Sequence, residues 1–167
     1  KTASVLAARY VEREALDTGI FGTPVLLRAL TRIGRPDLAV RLLTSRAPGS
    51  FGHLMDLGAT TLWEFLEEPQ ASNNHPMFGT ATAFLFETLL GLQRESAGYR
   101  RVWINPYTAP QLGRAAGHID TPQGPLSVSW TRQEGSVLCQ VCIPEGIEAF
   151  FGPERLALSP GTTDLCL

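Results

Sequence analysis

The side chains best equipped for chemistry are concentrated between Ser50 and Phe78. Phe51, His53, Asp56, Trp63, Glu64, Asn73, Asn74, His75 and Phe78 all fall in that stretch. Carboxylates beside aromatic rings and amides suit sugars. A ring packs on the apolar C–H face of a sugar, while carboxylates and amides bond its hydroxyls. A solvated helix end followed by a loop has the same composition, so composition leaves both readings open. Elsewhere no glycine-rich phosphate loop follows a strand, and no Gly-x-Ser-x-Gly, His-Glu-x-x-His or EF-hand pattern occurs. His53, His75 and His118 are far apart in sequence. Cys139-Gln-Val-Cys142 has the Cys-x-x-Cys form, but strand residues three apart point to opposite faces. No second such pair or nearby His completes a zinc set. These cysteines, with Cys166, read as small apolar filler. The sequence therefore calls for no cofactor and no metal.

The elements that must hold these residues fall into two blocks, and the pattern changes near residue 100. The first block reads as helical. Ala3 to Ala15 is alanine-rich with few breakers. Asp17 to Pro24 is a turn-rich connection, with Thr23 expected as N-cap and Pro24 as the first helical residue. Leu26, Ala29, Leu30 and Ile33 follow at helical spacing. Gly34 ends that helix and Pro36-Asp37 opens the next, which predicts an αα-hairpin. Pro48-Gly49-Ser50 is another break, and Pro69 to Pro76 reads as a polar loop. Ala81 to Leu92 is apolar on most sides, which predicts a helix buried inside a larger helical assembly.

The second block reads as strands. Leu126, Val128 and Trp130 alternate with Ser127, Ser129 and Thr131, the pattern of a half-buried strand. Val137, Cys139, Val141 and Ile143 form another. Arg101 to Asn105, Ala149 to Phe151 and Leu156 to Leu158 are shorter candidates. Helices followed by strands give an α+β class by segment rather than a doubly wound sheet.

The chain has 167 residues, 44% of them apolar, and a formal net charge of -2. That balance argues against a nucleic-acid binder, which would be clearly basic. No apolar run reaches the roughly 18 residues needed to cross a bilayer. The first residue is Lys1, and the chain is expected to be a piece of a longer protein.

Three segments in order resemble successive signatures of bacterial α-L-rhamnosidases of glycoside hydrolase family seventy-eight. They are Asp17-Thr18-Gly19-Ile20-Phe21-Gly22-Thr23-Pro24, the run Ser50 to Glu64 that ends in Gly-Ala-Thr-Thr-Leu-Trp-Glu, and Asn74-His75-Pro76-Met77-Phe78-Gly79. Gly98 to Pro106 is similar to the family's passage out of its catalytic barrel. Ile143-Pro144-Glu145-Gly146 and Ser159-Pro160-Gly161 are similar to turns of its C-terminal domain. The resemblance implies part of an (α/α)6 barrel over residues 1–98 and a small antiparallel β-sandwich over residues 99–167. It implies hydrolysis of terminal α-L-rhamnosides with inversion, on a rhamnose-containing oligosaccharide or glycoside. By the same resemblance Glu64 is the general base, His75 lines the sugar pocket beside it, and Trp63 is a candidate sugar contact. The general acid is expected upstream of this chain, so the piece alone is expected to be inactive.

An inverting pair of carboxyl groups stands roughly 6.5–9.5 Å apart. On a helix, Glu67 and Glu68 would sit beside Glu64 on one face rather than across a sugar from it. The sequence departs from the family after Trp63-Glu64, where Phe65-Leu66 replaces the usual Arg-Trp. The competing reading is a non-catalytic carbohydrate-binding or structural relative of the same fold.

Overall fold

The computed structural model describes residues 2–67 and 72–167. The chain divides into two compact units, the first ending at Phe84 and the second spanning Leu85–Leu167.

The first unit contains helices α1 (Thr2–Val11), α2 (Gly22–Arg32), α3 (Pro36–Thr44) and α4 (Phe51–Asp56). Leu26, Leu27 and Leu30 of α2 and Leu38, Ala39 and Leu42 of α3 are buried, as the helical spacing requires. The predicted hairpin forms because each end has its own signal. Gly34 takes φ +76. Its N–H bonds the Thr31 carbonyl at 3.0 Å, and the Arg35 N–H bonds that of Leu30 at 2.9 Å. This is the Schellman arrangement, which needs a left-handed residue. Pro36 then starts α3 with its φ already set. Arg35 forks onto Asp37 at 2.9 and 2.8 Å, and that contact holds the Asp37 carboxyl below its ordinary value.

Thr23 does not cap α2. Helical geometry begins at Gly22, and Phe21 precedes it without a side-chain cap. The Thr23 hydroxyl instead points back into the connection, 2.9 Å from the Thr18 carbonyl and 3.0 Å from that of Gly19. It is fully buried, and the hydroxyl donates to these nearby carbonyls rather than accepting from a helix N–H.

Ser50 caps α4 by accepting from the His53 N–H at 3.3 Å. Gly58 then ends α4 with φ +84. The Gly58 N–H bonds Met55 O at 3.0 Å and the Ala59 N–H bonds Leu54 O at 2.9 Å, a second Schellman closure. The chain has therefore left helical geometry before it reaches Glu64. Residues 59–67 and 72–75 form neither helix nor strand. The helical spacing assumed for Glu64 and Glu67 is thus corrected. Glu68 and the start of the Pro69–Pro76 loop lie outside the described residues.

The helix predicted over Ala81 to Leu92 is three pieces. A 3₁₀ segment (Pro76–Ala81) is followed by one α turn (Thr82–Phe84) and a π turn (Leu85–Leu89). The π turn belongs to the second unit and packs against the strand Leu92–Arg94. Its last carbonyls are taken by donors from two strands and from the connection after Ile104. Trp130 Nε1 donates to Leu89 O at 2.8 Å, the Tyr107 N–H to Thr88 O at 2.9 Å, and the Gln93 amide to Glu87 O. Those carbonyls would otherwise be orphaned.

The second unit holds strands β1 (Leu92–Arg94), β2 (Arg101–Ile104), β3 (Arg114–Thr121), β4 (Gly124–Gln133), β5 (Ser136–Ile143), β6 (Glu148–Phe151), β7 (Leu156–Leu158) and β8 (Gly161–Cys166). They form two four-stranded sheets, β1-β2-β6-β7 and β3-β4-β5-β8. Leu92, Val102, Ile104, Ala149 and Phe151 of one sheet share a core with Leu126, Val128, Trp130, Val141 and Ile143 of the other. This is a β-sandwich, antiparallel except for the β2/β6 pair, which is parallel. Cys139 is buried in that core, Cys142 is half-buried and Cys166 is exposed, all three unpaired. Burial pushes the Cys139 thiol up to about 11, which keeps it protonated and unreactive. Among the described residues no helix is long and apolar enough to cross a membrane.

Candidate active site

The site is carried by two irregular segments of the first unit that run alongside each other. Three cross-bonds join them. The Glu64 N–H donates to Ser72 O at 2.9 Å and the His75 N–H to Leu62 O at 2.6 Å. The Thr61 hydroxyl donates to Asn73 O. These bonds satisfy backbone groups that have no sheet or helix to join. They also bring together two residues eleven positions apart in sequence: Glu64 Oε2 lies 3.8 Å from His75 Nδ1. The Glu64 side chain is 30% exposed and that of His75 is 22% exposed. His75 Nε2 is buried and has no hydrogen-bond partner among the described residues.

Glu64 lines an open cleft of about 320 Å³. The walls come from the connection after α1 (Asp17, Thr18, Gly19), from Phe65 and Glu67 beside Glu64, and from Phe78. Phe78 is buried, and its ring meets that of Phe51 edge-on at 5.4 Å. Phe65, in contrast, is 44% exposed, an unusual state for a large apolar ring beside a carboxylate.

Asp17 is the wall residue that the sequence reading passed over as part of a turn. Its carboxylate accepts from Arg9 Nη2 at 2.5 Å and from the Tyr10 hydroxyl, and Arg13 stands 3.1 Å away. Burial alone would push the Asp17 carboxyl up. The bonds from Tyr10 and Arg9 and the charge of Arg13 outweigh it and hold the group below its ordinary value. Burial, and then the bond to Asp17, push the Tyr10 hydroxyl up to about 12. Arg41 adds a second tie, donating to the carbonyls of Val11 at 2.6 Å and Arg13 at 3.2 Å at the end of α1. The Thr18 hydroxyl lies 3.0 Å from that of Thr23. The Asp17–Gly19 wall is thus held by side-chain ties although it lies outside regular structure.

Of the residues singled out by sequence, the structure brings Glu64 and His75 together. Trp63 is half-buried and is not among the cleft-lining residues. Asp56 turns away to pair with Arg46, and His53 lies within α4. Asn73 contributes its backbone carbonyl rather than its amide. The only signal that could have found Asp17 was its place in the first of the three motif segments.

Comparison with known proteins follows from this geometry. The family model for the bacterial alpha-L-rhamnosidase 6 hairpin glycosidase domain matches residues 1–89. That for the bacterial alpha-L-rhamnosidase C-terminal domain matches residues 91–151. A curated alpha-L-rhamnosidase of Alteromonas sp. (strain LOR) is 37% identical over 148 residues, which make up 83% of this chain and 16% of that protein. One of Streptomyces avermitilis is 32% identical over 144 residues, 80% of this chain and 14% of that protein. The chain thus spans only a small share of the length of these relatives. Among solved structures, the Streptomyces avermitilis alpha-L-rhamnosidase complexed with L-rhamnose matches with a TM-score of 0.77 at 26% identity, over 99% of this chain and 18% of that one. The Aspergillus terreus enzyme matches with a TM-score of 0.84 at 22% identity, over 99% of this chain and 21% of that one, a likeness of fold.

Proposed function

The chain belongs to the bacterial α-L-rhamnosidase six-hairpin glycosidase family, and on that footing we propose that it carries the general-base half of an inverting glycoside hydrolase acting on terminal α-L-rhamnosides. The observation that carries this reading is the Glu64 carboxylate facing an open cleft with His75 Nδ1 at 3.8 Å. As base, Glu64 takes a proton from the water that attacks the anomeric carbon, on the face opposite the leaving group. A carboxylate suits this step because its oxygens accept hydrogen bonds from water. His75 holds the carboxylate or a sugar hydroxyl beside it. Trp63 remains a candidate contact further out, toward the rest of the sugar.

The acid belongs elsewhere in the complete protein. Asp17 lines the same cleft, but three neighbours hold it ionised, so it has no proton to give at neutral pH. Glu67 lines the same cleft on the same irregular segment, but the family resemblance places the acid upstream of these residues. The residue boundaries 1–98 and 99–167 remain our proposal for where the barrel part ends and the sandwich domain begins.

The test is Glu64→Gln in the complete protein, assayed on an aryl α-L-rhamnoside, with the anomer first released followed by NMR. The reading expects kcat to fall by about 10³-fold or more, with substrate binding retained, and the wild type to release the inverted anomer. Normal turnover by Glu64→Gln, or release of the retained anomer by the wild type, would refute it.

A further inference from the structure

We propose that Thr61 is a positioning residue for the Glu64–His75 pair, acting through the bond from its hydroxyl to the Asn73 carbonyl; this rests on Glu64 being the base. The Schellman closure at Gly58 leaves residues 59–67 without helix or strand. A catalytic carboxylate on such a segment has no regular hydrogen-bond ladder to fix it. Its position depends on the few bonds that cross to residues 72–75. Two of these are backbone to backbone, Glu64 N–H to Ser72 O and His75 N–H to Leu62 O, and form whatever the side chains are. The third is made by the Thr61 side chain and is the one a substitution can remove.

The geometry gives that bond leverage. Asn73 lies between Ser72 and His75, so a tie at Asn73 controls the short strip that carries the imidazole. Glu64 and His75 stand at 3.8 Å, just beyond hydrogen-bond range. A displacement on the order of 1 Å decides whether the two rest against each other, and displacements of that size cost about 10²-fold in rate. Thr61 is also exposed, so its hydroxyl can be removed without opening a cavity in the core.

Three variants of the complete protein test this. Thr61→Val keeps the shape and loses the donor. Thr61→Ser keeps the donor and loses the methyl. Thr60→Val is the neighbouring control. Thr61→Val is expected to lower kcat by about 10- to 100-fold with a smaller change in KM, and to move the acidic limb of the pH–rate profile. Thr61→Ser and Thr60→Val are expected to stay within about threefold of wild type with an unmoved profile. A merely structural role would lower the melting temperature of Thr61→Val and leave the pH profile of the surviving enzyme in place, which overturns the proposal. So does wild-type kcat in Thr61→Val while Glu64→Gln is inactive, and so does failure of Thr61→Ser to restore the rate. Normal turnover by Glu64→Gln removes the base assignment itself and this proposal with it, which separates the two failures.

Discussion

Gly52 within α4 and Gly58 just after it are glycines for opposite physical reasons, and substituting each separates those reasons. Gly52 has ordinary helical φ, but a Cβ there would lie 2.3 Å from the Ser45 carbonyl oxygen and 3.1 Å from Arg46 Cγ. That is about 1 Å short of ordinary contact, and the obstacle is backbone. Gly58 has φ +84 and nothing within 4 Å of its Cβ position. Alanine at 58 meets only the left-handed penalty, about 1–2 kcal/mol. Alanine at 52 must push the Ser45 carbonyl away, an overpacking cost of about 1–3 kcal/mol. The buried Ser50 hydroxyl lies 2.7 Å from that carbonyl and 2.6 Å from the Ala47 carbonyl, so its one hydrogen can turn to Ala47 and the disturbed bond adds about 1 kcal/mol. The better helix propensity of alanine returns at most about 1 kcal/mol. The net expectation is about 2 kcal/mol for Gly52→Ala against about 1.5 kcal/mol for Gly58→Ala.

Asparagine sharpens the contrast, because it tolerates the left-handed region. Gly58→Asn should cost less than Gly58→Ala, and Gly52→Asn more than Gly52→Ala. The assay is chemical denaturation read as a midpoint shift at constant slope, with turnover of the complete protein measured alongside. If Gly52→Ala costs no more than Gly58→Ala, the contact argument at Ser45 fails. If asparagine and alanine are equally damaging at position 58, the left-handed argument fails.

Two further predictions concern polar groups tied by hydrogen bonds. Trp130→Phe removes the donor to Leu89 O and leaves that carbonyl unsatisfied, so unfolding should become easier by about 1–3 kcal/mol beyond the lost packing; an undiminished denaturation midpoint would contradict the role given to this bond. Asp17 has its folded value held below the ordinary 3.8, so its stabilising effect is complete above that pH and is lost as pH falls through the lower folded value. The stability gap between wild type and Asp17→Asn should therefore narrow on acidification, and a gap constant from pH 7 to pH 2 would show that the Arg9–Arg13–Tyr10 ties contribute nothing through charge.

Much of the fold was legible where one local rule acts alone. β4 and β5 follow from strict alternation, and their inward residues Val128, Trp130, Cys139 and Val141 are buried as expected. The α2–α3 hairpin follows from Gly34 and Pro36. β3 was missed because Ala115, Ala116 and Gly117 have low strand propensity. They are extended because β4 pairs with them along their full length, a tertiary effect that overrides composition. The π turn at Leu85–Leu89 was missed for a similar reason, since its loosened carbonyls are satisfied by Trp130, Tyr107 and Gln93 from distant positions. Thr23 was misread because an N-cap and an inward local bond look alike in sequence.

The site divides along the same line. The closeness of Glu64 and His75 was foreshadowed because motifs name both residues, and the ties of Asp17 and Thr61 were not, because each runs to a partner that no spacing rule connects to it. Asp17 depends on Arg9, Arg13 and Tyr10 across the end of α1. Thr61 depends on a carbonyl twelve residues ahead. Both features follow from the placement of Glu64 outside regular structure. A glutamate on a helix would need no such ties, but its position would be set by the helix axis and its neighbours by the 3.6 period. On an irregular segment the carboxylate can be aimed into the cleft from Gly58 onward, and its precision then rests on individual hydrogen bonds. That is why the substitutions with the greatest expected effect on rate lie at Thr61 and Glu64, whereas those at the glycine and serine contacts around α4 act on stability.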